Sequence, residues 1–228
     1  NGEYSLLLGN AKSVEGPKIL GTYMWVEVEN IKRLEEKIVT GPYIHHCVGV
    51  YENVVPVLYE ACKYIGIKAD LYDPIELRQD VVDMIVNGKG GHIGGDMSVM
   101  DTLVTLYFKE MNISVDNFNT KDHDHFIMSK GHSVEALYAV LAEKGFFPIE
   151  RVLKEFSQFG SMFIGHPNNK LPGIEMNSGA LGHGLPVAVG MAIAERMNKS
   201  KNRVYVVMGD GELAEGSVWE GFMAGHQY

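Results

Sequence analysis

The chain has 228 residues, 46% of them hydrophobic, a formal net charge of −9 and two cysteines. That apolar content supports a core in one large domain or two small ones, and the acidic balance opposes a phosphate backbone, which excludes nucleic acid as the main partner. Two cysteines cannot build a disulfide framework and no apolar run is long enough to cross a bilayer, so the sequence reads as a cytoplasmic globular protein without membrane contact.

Residues 1–73 and 74–228 read differently. The first segment has strand-like stretches at 19–28 and 44–51. A helix follows, with Val54, Val57, Leu58, Ala61, Cys62 and Ile65 at helical spacing, then Gly66 at its end and a closing strand at 67–72. Pro74 sets a break and suits a first helical turn. From Ile75 helices and strands alternate. Leu77, Val81 and Ile85 share one helical face; Met100, Leu103, Val104 and Phe108 share the next. A short strand is predicted at 126–129, a helix over 134–143 and a Gly- and Ala-rich helix over 184–197. The stretch 203–208 is β-branched without alternation, as in a parallel strand covered on both faces. The pattern predicts an open α/β sheet, whose ligands bind at the carboxyl ends of strands, where Gly209-Asp210-Gly211 falls.

Glycines at 209 and 211 admit positive φ and let backbone amides close on a ligand. A helix starting just beyond adds a dipole end suited to phosphate. An aspartate there repels phosphate unless a hard cation such as Mg²⁺ intervenes; alternatively, Asp210 caps the helix. Four histidines, His92, His132, His166 and His183, lie beside glycines. Each alone reads as structural, but together they suggest a shared polar pocket able to donate to phosphate or move protons. Their spacing does not fit a zinc motif.

Four ordered blocks then carry a resemblance: "GGHIGGDMSVMDTLVTLYF" at 90–108, "FIMSKGH" at 126–132, "GHPNNKLPGIEMNSGALGHGLPVAVGMA" at 165–192 and "GDGELAEGSVWE" at 209–220. Residues 75–228 resemble the N-terminal, thiamine-diphosphate-binding half of transketolase, especially its two-subunit form. The resemblance implies the thiamine-diphosphate-binding α/β fold, a mostly parallel sheet with helices on both faces, here truncated. It also implies transfer of a two-carbon ketol unit from a ketose phosphate to an aldose phosphate. Asp210 would bind the Mg²⁺ that holds the diphosphate, with Gly209, Gly211 and Glu212 lining it by their backbone and His132 donating to it. Gly179, Ala180 and Leu181 would pack on the cofactor rings. His92 would shuttle protons, His166 would bind the sugar's first hydroxyl, and Glu215 would join a carboxylate network at a subunit interface or act as an ordinary early-helix glutamate. His183 is left as a backbone-level neighbour. A C-terminal partner subunit would complete the enzyme in a hetero- or homo-oligomer, and the isolated chain is expected to be inactive.

Departures from that family include Gly90, where serine is common, Ile93 in place of proline, and His125, where arginine is frequent. A second Mg²⁺ ligand, an asparagine on a later strand, is expected beyond Tyr228. The stretch "TGPYIHHCVGVYENVVPVLYEACKYIGIKADLYD" at 40–73 instead resembles the closing segment of the L-fucose/L-arabinose isomerase family. There, His46 or His45 would face a catalytic Mn²⁺, or the pair is structural, because the carboxylates completing that site are absent. The alternatives left open are a 1-deoxyxylulose-phosphate-synthase-like enzyme, an isomerase fragment, and an inactive truncated fusion. A plain dinucleotide-binding domain is disfavoured because Gly-x-Gly-x-x-Gly is missing after the strand at 204–208.

Overall fold

The computed structural model describes residues 75–228, with side chains from Glu76 onward, and ahead of them the backbone of residues 5–9, 23–27 and 69–72. The chain forms two compact units, Asn1–Glu76 and Leu77–Tyr228. In the first unit, β1 (Ser5–Gly9), β2 (Tyr23–Glu27) and β3 (Ala69–Tyr72) form an antiparallel sheet in that order, with Leu7 opposite Trp25 and Met24 opposite Leu71. Strands β2 and β3 lie within the stretches expected at 19–28 and 67–72. Strand β1 is not anticipated, since Ser-Leu-Leu-Leu-Gly neither alternates nor carries β-branched residues. The expected strand at 44–51, the helix after it and the His45-His46 pair lie outside the described residues.

The second unit begins within α1 (Ile75–Gly88), which buries Leu77, Val81 and Met84, and continues with α2 (Ile93–Thr105), which buries Val99, Met100, Leu103 and Val104. Helix α2 runs into a π-helical turn at Leu106–Glu110. The wider turn rotates the following side chains, so Tyr107 rather than Phe108 enters the core. Lys144 Nζ donates to the Tyr107 carbonyl at 2.6 Å and satisfies the oxygen there. Next come β4 (His125–Met128) and α3 (Val134–Glu143). Helix α3 is buried from Val134 to Leu141 and forms the spine of the core, each fully buried Leu or Val contributing about 1.5–3 kcal/mol. Tyr138 on α3 stands edge-to-face with Phe147, Phe156 and Phe163 around α4 (Ile149–Glu155).

After a long loop come α5 (Gly184–Met197), β5 (Val204–Val207) and α6 (Gly216–Gln227). Strands β4 and β5 pair in parallel, Phe126 opposite Tyr205 and Met128 opposite Val207. Two strands make up this sheet among the described residues. The stretch at 203–208 therefore forms the expected parallel strand, but all of β5 is only half-buried, so the helices cover it less than its sequence anticipates.

Candidate functional site

Parallel pairing brings the carboxyl ends of β4 and β5 to one edge. The chain leaves β4 through Ser129 and Lys130 into a 3₁₀ turn at Gly131–Ser133; it leaves β5 through Gly209 and Asp210 into a 3₁₀ turn at Gly211–Ala214. The helix expected directly after Gly-Asp-Gly thus starts only at Gly216. Glu212, 1% exposed, ties these ends together. Its Oε2 accepts from Ser129 Oγ at 2.7 Å and from the Gly182 N–H at 2.8 Å, while Oε1 accepts the Gly209 N–H at 2.8 Å. Three donors let a carboxylate sit inside the protein. Ser129 Oγ in turn accepts the Gly184 N–H at 3.2 Å and fixes the start of α5.

Gly209 and Gly211 do not take up the positive φ that glycine admits; beside them Gly182 does, at φ +80°. A Cβ there would lie 2.7 Å from both Glu215 Cβ and Ser217 Oγ. Gly211 has another use, because a Cβ on it would meet nothing within 4 Å and would project into open space. Asp210 is exposed and makes no side-chain cap bond, so the capping reading fails and its carboxylate is left for solvent or a ligand.

The histidines gather at the same edge. The His92 and His132 rings stand edge-to-face with centroids 5.3 Å apart. His166 abuts Gly179, where a Cβ would lie 3.4 Å from its ring. Burial, reinforced by the charges of His92, Lys130 and His166, pushes the His132 imidazole below its ordinary range, although Glu212 opposes the shift. Burial and His92 do the same to His166. Both rings are thereby biased toward the neutral form, which can donate at one nitrogen and accept at the other. His183 turns its Nδ1 to the Leu181 carbonyl at 3.0 Å. Ala180, Leu181 and Glu215 are exposed.

Lys130, Ser129, Tyr138 and the Asp96–Glu135 pair belong to this site although their own residue types gave no sign of it. Lys130 is buried at 9% exposure and donates from Nζ to the Gly95 carbonyl at 3.2 Å, placing a cation beside His132. Tyr138 donates to the Ile164 carbonyl at 3.0 Å, with the His166 carbonyl at 3.2 Å, and so holds the loop bearing His166. The block "FIMSKGH" contains Ser129 and Lys130, but only the fold brings Glu212 and Gly95 to them.

With this geometry the chain falls into a recognised class. Residues 74–228 match the family described as "Transketolase, thiamine diphosphate binding domain", and the chain belongs to that family. It is 50% identical over 151 residues to one subunit of the apulose-4-phosphate transketolase of Phocaeicola vulgatus, covering 66% of this chain and 53% of that protein. It is 43% identical over 134 residues to 6-deoxy-6-sulfo-D-fructose transketolase subunit SqwG of a Clostridium species, covering 58% and 48%. The chain thus spans about half the length of these relatives. Among solved structures, transketolase from Leishmania mexicana superposes with a TM-score of 0.57 at 34% identity, over 64% of this chain and 23% of that one. The α/β fold is that of transketolase. No helix among the described residues is long and apolar enough to cross a membrane.

Proposed function

We propose that residues 74–228 are the cofactor-binding part of a two-subunit transketolase, which moves a two-carbon ketol unit from a ketose phosphate to an aldose phosphate together with a C-terminal partner subunit. The observation that carries this reading is the convergence of exposed Asp210, the open space beside Gly211, and the Lys130–His132 pair at the carboxyl ends of two parallel strands. That donor set fits a diphosphate and its cation: a free carboxylate for Mg²⁺, an ammonium and an imidazole for phosphate oxygens. Bound thiamine diphosphate supplies the carbanion chemistry that breaks and forms the carbon–carbon bond.

The chain's own groups bind and orient. His132 donates to the diphosphate, and Lys130 offsets its charge from behind. The backbone of Gly209, Gly211 and Glu212 lines the same oxygens, with the buried Glu212 side chain holding that backbone in place. Exposed Gly179, Ala180 and Leu181 would pack against the cofactor rings. His92 and the largely neutral His166 face the substrate, His92 moving a proton and His166 holding the first hydroxyl. Exposed Glu215 would meet the partner subunit. For residues 1–73 the isomerase-tail reading rests on the motif at 40–73 alone.

The test is calorimetric titration of thiamine diphosphate, with and without Mg²⁺, into the chain mixed with a C-terminal transketolase subunit. Binding that needs Mg²⁺ and weakens at least tenfold in D210N is expected. Binding indifferent to both would sink the reading, and turnover with pyruvate but no ketose phosphate would transfer it to the deoxyxylulose-phosphate-synthase class.

A further inference from the structure

We propose that His123, His125 and Glu175 form a second metal centre, for a divalent transition ion such as Zn²⁺, at the amino end of β4 and away from the histidine group that follows its carboxyl end. Both imidazoles converge on one oxygen. His123 Nε2 lies 3.0 Å and His125 Nδ1 2.8 Å from Glu175 Oε1, and the three ligand atoms lie within 4.8 Å of one another. The rings meet edge-to-face with centroids 4.6 Å apart. His123 is 6% exposed, and the His125 and Glu175 side chains are 14% and 16% exposed.

The outward-facing nitrogens decide the chemistry. His123 Nδ1 lies 3.0 Å from the Thr120 carbonyl, and His125 Nε2 lies 3.4 Å from Glu195 Oε1. All four ring nitrogens therefore face oxygen acceptors. A neutral imidazole has one N–H and one lone pair, so a neutral ring can donate to only one of its two oxygen neighbours. A metal ion at the point of convergence removes the conflict: each neutral ring donates outward, to Thr120 or Glu195, and turns its lone pair inward beside Glu175. Such an outer acceptor is what normally fixes the tautomer of a ligating histidine.

Glu195 is suited to that outer role. Asn202 Nδ2 donates to its Oε2 at 3.0 Å, which leaves Oε1 turned to His125. A cleft of about 430 Å³, lined by Thr120, Lys121, His123, His125, Glu195 and Asn202, adjoins the two rings. Two imidazoles and a carboxylate select Zn²⁺, Co²⁺ or Fe²⁺ over Ca²⁺ or Mg²⁺, which prefer all-oxygen sites. Metal–ligand bonds of about 2.0–2.2 Å would spread the present contacts only slightly. The ion would join the loop before β4, the last turns of α5 and the loop that continues from Glu175 to Ser178 and Gly179. It would thereby brace the floor of the proposed cofactor site.

The full chain, stripped with EDTA and never exposed to an affinity metal, is titrated with Zn²⁺ against a chelating dye and separately with Co²⁺. One tight Zn²⁺ per chain is expected, together with visible Co²⁺ bands stronger than those of the aqueous ion. In H125R the guanidinium can pair with both Glu175 and Glu195 while offering no lone pair. This variant should keep the wild-type circular dichroism, weaken Zn²⁺ binding at least tenfold and lose the Co²⁺ bands; D210N should retain both. Equal binding in wild type and H125R overturns the proposal, since the ion then sits elsewhere. A wild-type chain without tight Zn²⁺ or enhanced Co²⁺ bands overturns it whatever the variant does, leaving a network of shared protons only.

Discussion

Asp96 accepts the Ala136 N–H at 3.1 Å, and this seats its carboxyl against that of Glu135, the residue before, with both side chains 0% exposed. Among the described residues, Asp96 Oδ2 and both Glu135 oxygens have no other hydrogen-bond partner. Two carboxyls can share such a place only by sharing a proton. Burial first, then the charge of Glu135, pushes Asp96 up to about 7, and burial raises Glu135 as well. The folded state therefore holds protons that the unfolded chain releases, and stability should fall as pH rises from about 4 through 7. D96N keeps the bond to Ala136 and can donate to Glu135, so it should flatten that slope. Melting temperatures at pH 4.5, 5.5 and 7.5 check this; a D96N profile parallel to wild type would refute the shared proton.

Glu212 and Asp210 should separate stability from binding. E212A strands three donors and should cost on the order of 3 kcal/mol, since each unsatisfied buried group costs about 1–3. E212Q should recover only part, because its NH₂ must face one of the donors. D210N removes an exposed group without a cap bond and should stay within about 0.5 kcal/mol of wild type. Urea titrations of the three variants decide it, and a large loss in D210N would mean that Asp210 supports the fold.

Two glycines give an opposite pair. G182A forces a Cβ onto Glu215 and Ser217 at φ +80° and should lose about 1–3 kcal/mol. G211A enters open space at an ordinary φ, should melt like wild type and should weaken thiamine diphosphate binding. Scanning calorimetry beside cofactor titration reads both; an unchanged affinity in G211A would remove Gly211 from the proposed site.

Histidine resonances should titrate in order of burial and charge. The midpoints of His132 and His166 should lie below the usual 6.5, and H92Q should raise both by removing the secondary contribution of His92. Ring-carbon NMR titration measures this directly. Midpoints unmoved by H92Q would show that His92 contributes nothing to either shift.

The sequence spoke clearly where the signal is local. Helices over 134–143 and 184–197 and the strand around 204–207 follow from periodicity and β-branching, and the family blocks anticipate the fold. What escaped depends on approach across the chain. Gly209 and Gly211 admit a positive φ, yet it is Gly182 that takes one up, where the loop crosses Glu215 and Ser217. Lys130 gained meaning only beside Gly95, and Asp96 only beside Glu135. The π-helical turn at 106–110 has no spacing signature and moved the buried aromatic from Phe108 to Tyr107. His123 and His125 lack flanking glycines, and their shared partner Glu175 is 52 positions from the first and 50 from the second.

The Glu212 knot also sets an order of events. Its oxygens reach Gly182 across 30 positions and Ser129 across 83, so the loops bearing Lys130 and His132 cannot be fixed until the chain has been made through β5 and its following turn. Closing a loop of that size costs entropy before any contact repays it. Helix α3 and its aromatic neighbours, all local, can condense early. The edge that carries the proposed cofactor site should therefore be the last part of this unit to acquire its native shape during synthesis and the slowest to return after dilution from denaturant.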